Sequence, residues 1–155
     1  MIFESHAHYD DRAFDEDRDI LLGSMQENGI EYVVNVSSSL GSVKRTLDLM
    51  NEYPFVYGAL GIHPSDIADL DEESFDWIKA QFVHPKAVAV GEIGLDYYWE
   101  KEEDVRQQQP EWFARQLEMA SEIKKPVIIH SRDAARDTED VLAACGGSSL
   151  KRAVS

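Results

Sequence analysis

Cysteine, long apolar runs and basic residues are scarce in this sequence. Its single cysteine, Cys145, has no second cysteine in the chain with which to form a disulfide bond. No stretch of about 18 apolar residues occurs, so the sequence predicts no membrane-spanning helix. The first residues also lack the basic segment and long apolar core of a secretory signal. We therefore expect a cytoplasmic protein that makes no contact with a membrane.

The shortage of basic residues limits the partners that the chain can bind. Thirty acidic residues against fifteen basic ones give a formal net charge of −15. Tight binding to a nucleic-acid duplex needs many Lys and Arg contacts to phosphates, so the charge argues against an extended duplex partner. The acidic residues concentrate in residues 10–19, 66–76 and 100–104, which we interpret as solvated loops and helix starts. A small phosphate-containing substrate is compatible with this charge, because bound divalent cations would supply local positive charge.

The rest of the composition is that of one globular domain. The 155 residues are 43% hydrophobic and 29% charged, which suffices for a sizeable core. Two domains would each be small, and no linker rich in proline, glycine or serine divides the chain. We expect a single domain over residues 1–155.

Short β-branched runs alternate with longer amphipathic segments, which predicts repeated βα units. Strand runs that stay apolar almost to their last residue are typical of a parallel sheet buried on both faces. The predicted fold is α/β, a (β/α) barrel of the TIM type with about five of eight strands. The predicted strands are residues 2–5, 32–36, 55–60, 87–92 and 127–130. The first predicted helix stops at residues 28–29 and the second before Pro54. The last predicted helix follows the fifth strand, spans about 133–144 and is closed by Gly146 and Gly147.

Side chains that can bind a metal lie at the ends of four predicted strands. His6 and His8 directly follow the first predicted strand and are two residues apart, so in extended backbone their imidazoles project from the same face. His63, Glu92 and His130 each follow an apolar run. Because the carboxyl ends of barrel strands meet at one end of the fold, these side chains are predicted to converge on one pocket. The joint pattern favours a metal site over isolated structural histidines.

Four segments of the chain, taken together, resemble the amino-terminal part of the TatD-type metal-dependent hydrolases, within the wider amidohydrolase group. The segments occur in the family's order, and the two that contain Glu92 and His130 are the most specific. They are Ser-His-Ala-His at 5–8, Gly-Ile-His-Pro at 61–64, Gly-Glu-Ile-Gly-Leu-Asp-Tyr at 91–97 and Pro-Val-Ile-Ile-His-Ser-Arg-Asp at 126–133.

The resemblance implies a pair of divalent cations at the predicted pocket. His6 and His8 would hold the first cation, His130 the second, and Glu92 would bridge both. Imidazole and carboxylate ligands suit zinc, manganese or magnesium to differing degrees, so the identity of the metal stays open. The implied reaction is the attack of an activated water on a phosphodiester.

The same resemblance assigns residues to the substrate. His63 would act in catalysis as a phosphate contact or proton donor and not as a metal ligand. Independently of the resemblance, Arg132 lies two residues past His130, where it could contact a phosphate bidentately; the alternative is a surface salt bridge. Asp96 and Tyr97 would fix the Glu92 loop or line the substrate cleft.

Three functional hypotheses follow. The first is a TatD-like deoxyribonuclease that trims the end of single-stranded DNA or hydrolyses another small phosphodiester. The second is hydrolysis of an amide or ester, including deacylation of aminoacyl-tRNA. The third is an inactive, truncated relative, because the resemblance implies a further histidine after a sixth strand and an aspartate after an eighth, and neither is present. Residues 150–155 could begin a sixth strand; with five strands alone, the first and fifth would be open edges.

Overall fold

In a computed structural model, which describes residues 1–145 and the backbone of residues 152–154, six parallel strands form one sheet in sequence order. An α-helix lies in each connection between consecutive strands, so the described chain is a succession of βα units. The strands are β1 Ile2–Ala7, β2 Ile30–Val36, β3 Val56–Ala59, β4 Ala87–Asp96, β5 Val127–Arg132 and β6 Arg152–Val154. The helices are α1 Arg18–Ser24, α2 Leu40–Glu52, α3 Glu72–Ala80, α4 Glu103–Glu122 and α5 Ala135–Ala144.

This topology confirms the predicted α/β fold of the barrel type. All five predicted strands form, and β4 and β5 continue four and two residues past their predicted ends, to Asp96 and Arg132. Glu92 and His130 therefore lie within strands and not in the loops that follow them. A sixth strand was expected to begin within residues 150–155, and β6 forms there and pairs with β5, so β5 is not an edge strand. In the described part of the chain, β1 and β6 are the ends of the sheet.

The helices begin where the sequence supplies a capping side chain. The Ser39 hydroxyl accepts a hydrogen bond from the Ser42 backbone N–H at the start of α2. Asp71 and Ser74 form a reciprocal capping box at the start of α3. The predicted end of the first helix at residues 28–29 was too late: α1 ends at Ser24, and turns follow. Gly146 and Gly147, predicted to close the last helix, lie outside the described residues.

Apolar side chains cover both faces of the sheet, as expected for parallel strands. Consecutive residues of β2 show the alternation, since Val33 belongs to the large cluster beneath the helices and Val34 to a smaller one. The smaller cluster contains Val34, Val36, Ala59, Ala89 and Ile128. Among the described residues, no helix is long and apolar enough to cross a membrane.

One acidic residue that we interpreted as solvated is buried. Asp10 is 4% exposed, and its two carboxylate oxygens accept hydrogen bonds from Asn35 Nδ2 (2.8 Å) and Ser42 Oγ (2.5 Å). The side chain thereby ties the loop after β1 to β2 and α2. The interpretation of residues 10–19 as a solvated run is wrong at this position, because its partners come from distant parts of the chain.

Candidate metal centre

Three donor atoms surround a space of the size of one cation at the end of β1. His6 Nε2 and His8 Nε2 lie 3.1 Å apart, and they lie 3.6 and 3.8 Å from Glu92 Oε2. Ligands of one ion with bonds of about 2.0–2.2 Å lie roughly 3–3.5 Å from one another. The spacing of the three atoms therefore fits a shared divalent cation, with only small adjustments.

The second oxygen of Glu92 faces a different histidine. His130 Nδ1 lies 3.3 Å from Glu92 Oε1, and the His63 ring packs against the His130 ring with 4.3 Å between centroids. Ligand atoms of Glu92, His130 and His63 all lie within 4.8 Å of one another, so these residues could form a second metal group. Glu92 is only 6% exposed, and its carboxylate spans the two groups. This is the geometry expected of a carboxylate that bridges two ions.

Hydrogen bonds fix which nitrogen of two histidines is available to a metal. His8 Nδ1 lies 2.7 Å from the Val36 carbonyl oxygen, which can only accept, so Nδ1 carries the hydrogen and Nε2 presents its lone pair. His130 Nε2 lies 2.8 Å from Asp96 Oδ2 and donates to that carboxylate, which leaves Nδ1 facing Glu92. Metal-binding histidines commonly donate their second N–H to a carbonyl or carboxylate in this way.

His63 differs from these histidines in its hydrogen bonding. Its Nδ1 accepts a hydrogen bond from the Ser65 backbone N–H at 3.1 Å, so the neutral ring carries its hydrogen on Nε2. Burial, and next the neighbouring His130, lower the pKa of His63 to about 4. The ring is therefore neutral near pH 7 and offers an N–H donor. In this tautomer His63 suits a substrate contact better than metal binding.

The charge state of the second group depends on the Asp96–His130 pair. Burial opposes ionisation of Asp96, but hydrogen bonds from the Trp99 backbone N–H and from His130 hold the pKa of Asp96 below its usual value. Burial likewise opposes protonation of His130, yet its contacts with Glu92 and Asp96 raise the pKa of His130. An ionised Asp96 is thus an acceptor for His130 Nε2–H at neutral pH.

Glycines allow β4 and β5 to approach closely beside Glu92. A Cβ atom at Gly91 would lie 2.7 Å from Ile128 Cβ, and one at Gly94 would lie 1.9 Å from the His130 carbonyl oxygen. Gly94 also has φ of +145°, which L side chains rarely adopt. The glycines that frame Glu92 in the sequence therefore set the strand spacing that brings Glu92 to His130.

Arg132 and Tyr97 contact groups other than the His and Glu side chains of this cluster. The Tyr97 hydroxyl donates to Asp137 Oδ2 at 2.9 Å, and burial followed by this contact raises the pKa of Tyr97 to about 12. The Arg132 guanidinium lies 5.9 Å from the centre of the Tyr98 ring. Substrate contacts by Arg132 and Tyr97 therefore stay predictions, whereas the structure brings together the five predicted His and Glu residues of the pocket.

The sequence interpretation missed the direct contact between Asp96 and His130. The signal was available, because Asp96 lies four positions after Glu92 on one strand, and side chains an even number of positions apart can project from the same face. The Val36 carbonyl that orients His8 had no such signal, since a backbone acceptor is not visible in residue types. Tyr98 was also overlooked, although it directly follows the matching Glu92 segment.

Known proteins resemble this chain in sequence and in fold. The model of the TatD-related DNase family matches residues 3–154. The uncharacterized metal-dependent hydrolase YabD of Bacillus subtilis is 36% identical over 151 residues, which cover 97% of this chain and 58% of YabD. The 3′-5′ ssDNA/RNA exonuclease TatD of Salmonella typhimurium is 31% identical over 121 residues, 78% of this chain and 46% of that protein. The chain thus spans about half the length of these curated relatives.

Two crystal structures show the same arrangement of strands and helices. The TatD homolog YjjV of Escherichia coli K12 superposes with a TM-score of 0.82 at 27% identity, over 93% of this chain and 56% of that one. A TatD-family hydrolase of Entamoeba histolytica superposes with a TM-score of 0.86 over 99% of this chain and 57% of that one. At 21% identity, the second similarity supports the fold alone.

Proposed function

Since the chain belongs to the TatD-related DNase family of metal-dependent hydrolases, we propose that it hydrolyses phosphodiester bonds at the ends of single-stranded nucleic acids. The observation that carries this proposal is the position of Glu92. One of its oxygens faces His6 and His8, and the other faces His130. A carboxylate shared between two imidazole groups suits a two-cation hydrolytic centre.

The donor set defines what could be bound. His6 and His8 would hold one divalent cation, His130 the second, and Glu92 both. Such a pair of cations supplies an activated water and stabilises negative charge on phosphoryl oxygens. Imidazole nitrogen suits zinc well and magnesium poorly, whereas carboxylate oxygen suits magnesium and manganese, so this mixed set favours zinc or manganese.

The remaining predicted residues act on the substrate in this proposal. His63 Nε2–H donates a hydrogen bond to a phosphoryl or leaving oxygen, since its Nδ1 is engaged by the Ser65 N–H. Arg132 lies at the exposed end of β5, two residues after His130, where its guanidinium can contact a phosphate. Tyr97 forms part of the cleft wall, with its hydroxyl held by Asp137. A single strand end needs few such contacts, which agrees with a net charge of −15.

Cleavage of labelled oligonucleotides tests the proposal. Purified protein is incubated with single-stranded DNA or RNA and, in turn, magnesium, manganese or zinc, and products are resolved by length. We expect stepwise shortening from one end, and loss of this activity in Glu92→Gln but not in the surface control Glu122→Gln. No cleavage with any of the three metals would contradict the proposal. Hydrolysis of amide or ester substrates without nuclease activity would instead support an amidohydrolase reaction.

A further inference from the structure

The loop after β4 carries two large aromatic side chains that the fold leaves exposed. Tyr98 is 48% and Trp99 65% exposed, and their rings meet edge to face with centroids 4.8 Å apart. Among the described residues, the other large exposed apolar side chains lie just before or early in β1, early in β2, on α1, or just before β4. Tyr98 and Trp99 alone follow the carboxyl end of a strand, the end at which Glu92 and His130 lie.

Asp96 forms hydrogen bonds both to the backbone of this aromatic pair and to His130 of the candidate metal centre. Its Oδ1 accepts hydrogen bonds from the backbone N–H groups of Tyr98 (3.0 Å) and Trp99 (2.8 Å). Its Oδ2 accepts from His130 Nε2 at 2.8 Å. Asp96 is fully buried, so one rigidly held carboxylate sets both the orientation of His130 and the course of the aromatic loop. The backbone that carries the two rings is thus held next to His130.

Two cations flank the aromatic pair on an otherwise acidic protein. Lys101 Nζ lies 5.3 Å and the Arg132 guanidinium 5.9 Å from the centre of the Tyr98 ring. An aromatic surface next to basic side chains is the arrangement that binds single-stranded nucleic acid, with bases stacked on rings and phosphates near the cations. A side chain as exposed as Trp99 contributes little to the core, so packing does not account for a tryptophan here.

From these contacts we propose that Tyr98 and Trp99 form a base-stacking subsite for the single strand whose terminal bond lies at Glu92. Lys101 and Arg132 contact the backbone phosphates on either side of the stacked base. The inference rests on the proposed phosphodiesterase function and specifies how its substrate is held. Because every nucleobase has an aromatic face, the subsite selects unpaired strands without selecting sequence.

A binding measurement separates this inference from the catalytic proposal. Fluorescence anisotropy follows a labelled oligothymidylate of about six nucleotides, with phosphorothioate linkages that resist cleavage. Trp99→Ala should weaken binding by about 5- to 150-fold, which corresponds to about 1–3 kcal/mol for one stacked base. Trp99→Phe should restore most of the affinity. Phe3→Ala, which removes an aromatic ring 58% exposed at the opposite end of the strands, should bind like the unmodified protein.

An abasic oligonucleotide of the same length and charge provides the decisive comparison. If Trp99 stacks on a base, the unmodified protein and Trp99→Ala bind the abasic strand equally. Equal affinity of the two proteins for the normal strand, an equal loss on both strands, or no binding by the unmodified protein would overturn the subsite. Binding that depends on Trp99, together with no cleavage of unprotected strands, would support the subsite and contradict the phosphodiesterase function.

Discussion

A single methyl group at Gly94 should force β4 and β5 apart beside the candidate metal centre. In Gly94→Ala, the new Cβ would lie 1.9 Å from the His130 carbonyl oxygen and 2.9 Å from its carbonyl carbon. Real Cβ contacts almost never fall below 3.0 Å, so the Cβ and the carbonyl oxygen must separate by about 1.1 Å, from 1.9 to 3.0 Å. The obstacle is backbone, which cannot rotate away as a flexible side chain can.

The expected loss of stability has two sources. Holding alanine at φ of +145° costs about 1–3 kcal/mol, and overpacking a tight contact costs about 1–3 kcal/mol more. A total of about 2–6 kcal/mol is a large fraction of the roughly 5–15 kcal/mol by which domains are stable. A displacement of about 1 Å between Glu92 and His130 should also lower activity on the order of 100-fold.

Urea unfolding followed by circular dichroism gives the change in the free energy of unfolding. Gly23→Ala is the matched control, since Gly23 lies in α1 with nothing within 4 Å of the added Cβ. That variant should gain about 0.5–1 kcal/mol, because alanine favours a helix. If Gly94→Ala unfolded at the same urea concentration as the unmodified protein, the close approach of β4 to β5 described above would be wrong.

Three further substitutions test individual contacts. Asp10→Ala should lower the free energy of unfolding by about 2–4 kcal/mol in urea titrations, because two buried donors lose their acceptor; an unchanged value would contradict the burial. Asp96→Asn should turn an amide donor toward His130 Nε2 and so move the ring hydrogen of His130 to Nδ1. Metal binding measured by calorimetry should weaken about 10–100-fold. Unaltered affinity would refute the orienting role of Asp96. Hydrogen bonds from Ser74 lower the pKa of Asp71 in the folded protein. The ionised carboxylate therefore contributes its full stabilisation at pH values above its usual pKa, and this contribution is lost as the pH falls through the lowered pKa. Asp71→Ala should therefore flatten the acid limb of stability measured against pH, and a limb of unchanged slope would argue against the capping box.

The periodic features of the sequence predicted the fold well. Short, mostly apolar runs were enough to place the five predicted strands, because burial on both sheet faces leaves little choice of residue. The spacing of His6 and His8 likewise predicted that both imidazoles face one point. The sixth strand expected to begin within residues 150–155 forms as the three-residue β6, which pairs with β5 and is too short for periodicity to define its bounds.

The contacts that orient the candidate ligands were less predictable. His8 depends on the Val36 carbonyl, and the burial of Asp10 depends on donors 25 and 32 residues further along the chain. Such contacts arise only when the strands are brought together, and the residue types of the partners, a valine, an asparagine and a serine, carry no local signal. The sequence motif at residues 91–97 includes Gly94, but the reason for a glycine there is its close approach to His130 of β5, which only the structure shows.

The central claim is that Glu92 bridges two divalent cations, and manganese reports on it directly. Titration of the protein with Mn²⁺, followed by electron paramagnetic resonance, counts the bound ions and shows whether they share a ligand. We predict two ions per chain with an exchange-coupled spectrum, and loss of that coupling in Glu92→Gln with Glu122→Gln unaffected. No stoichiometric binding, or two uncoupled ions that are indifferent to Glu92→Gln, would contradict the claim.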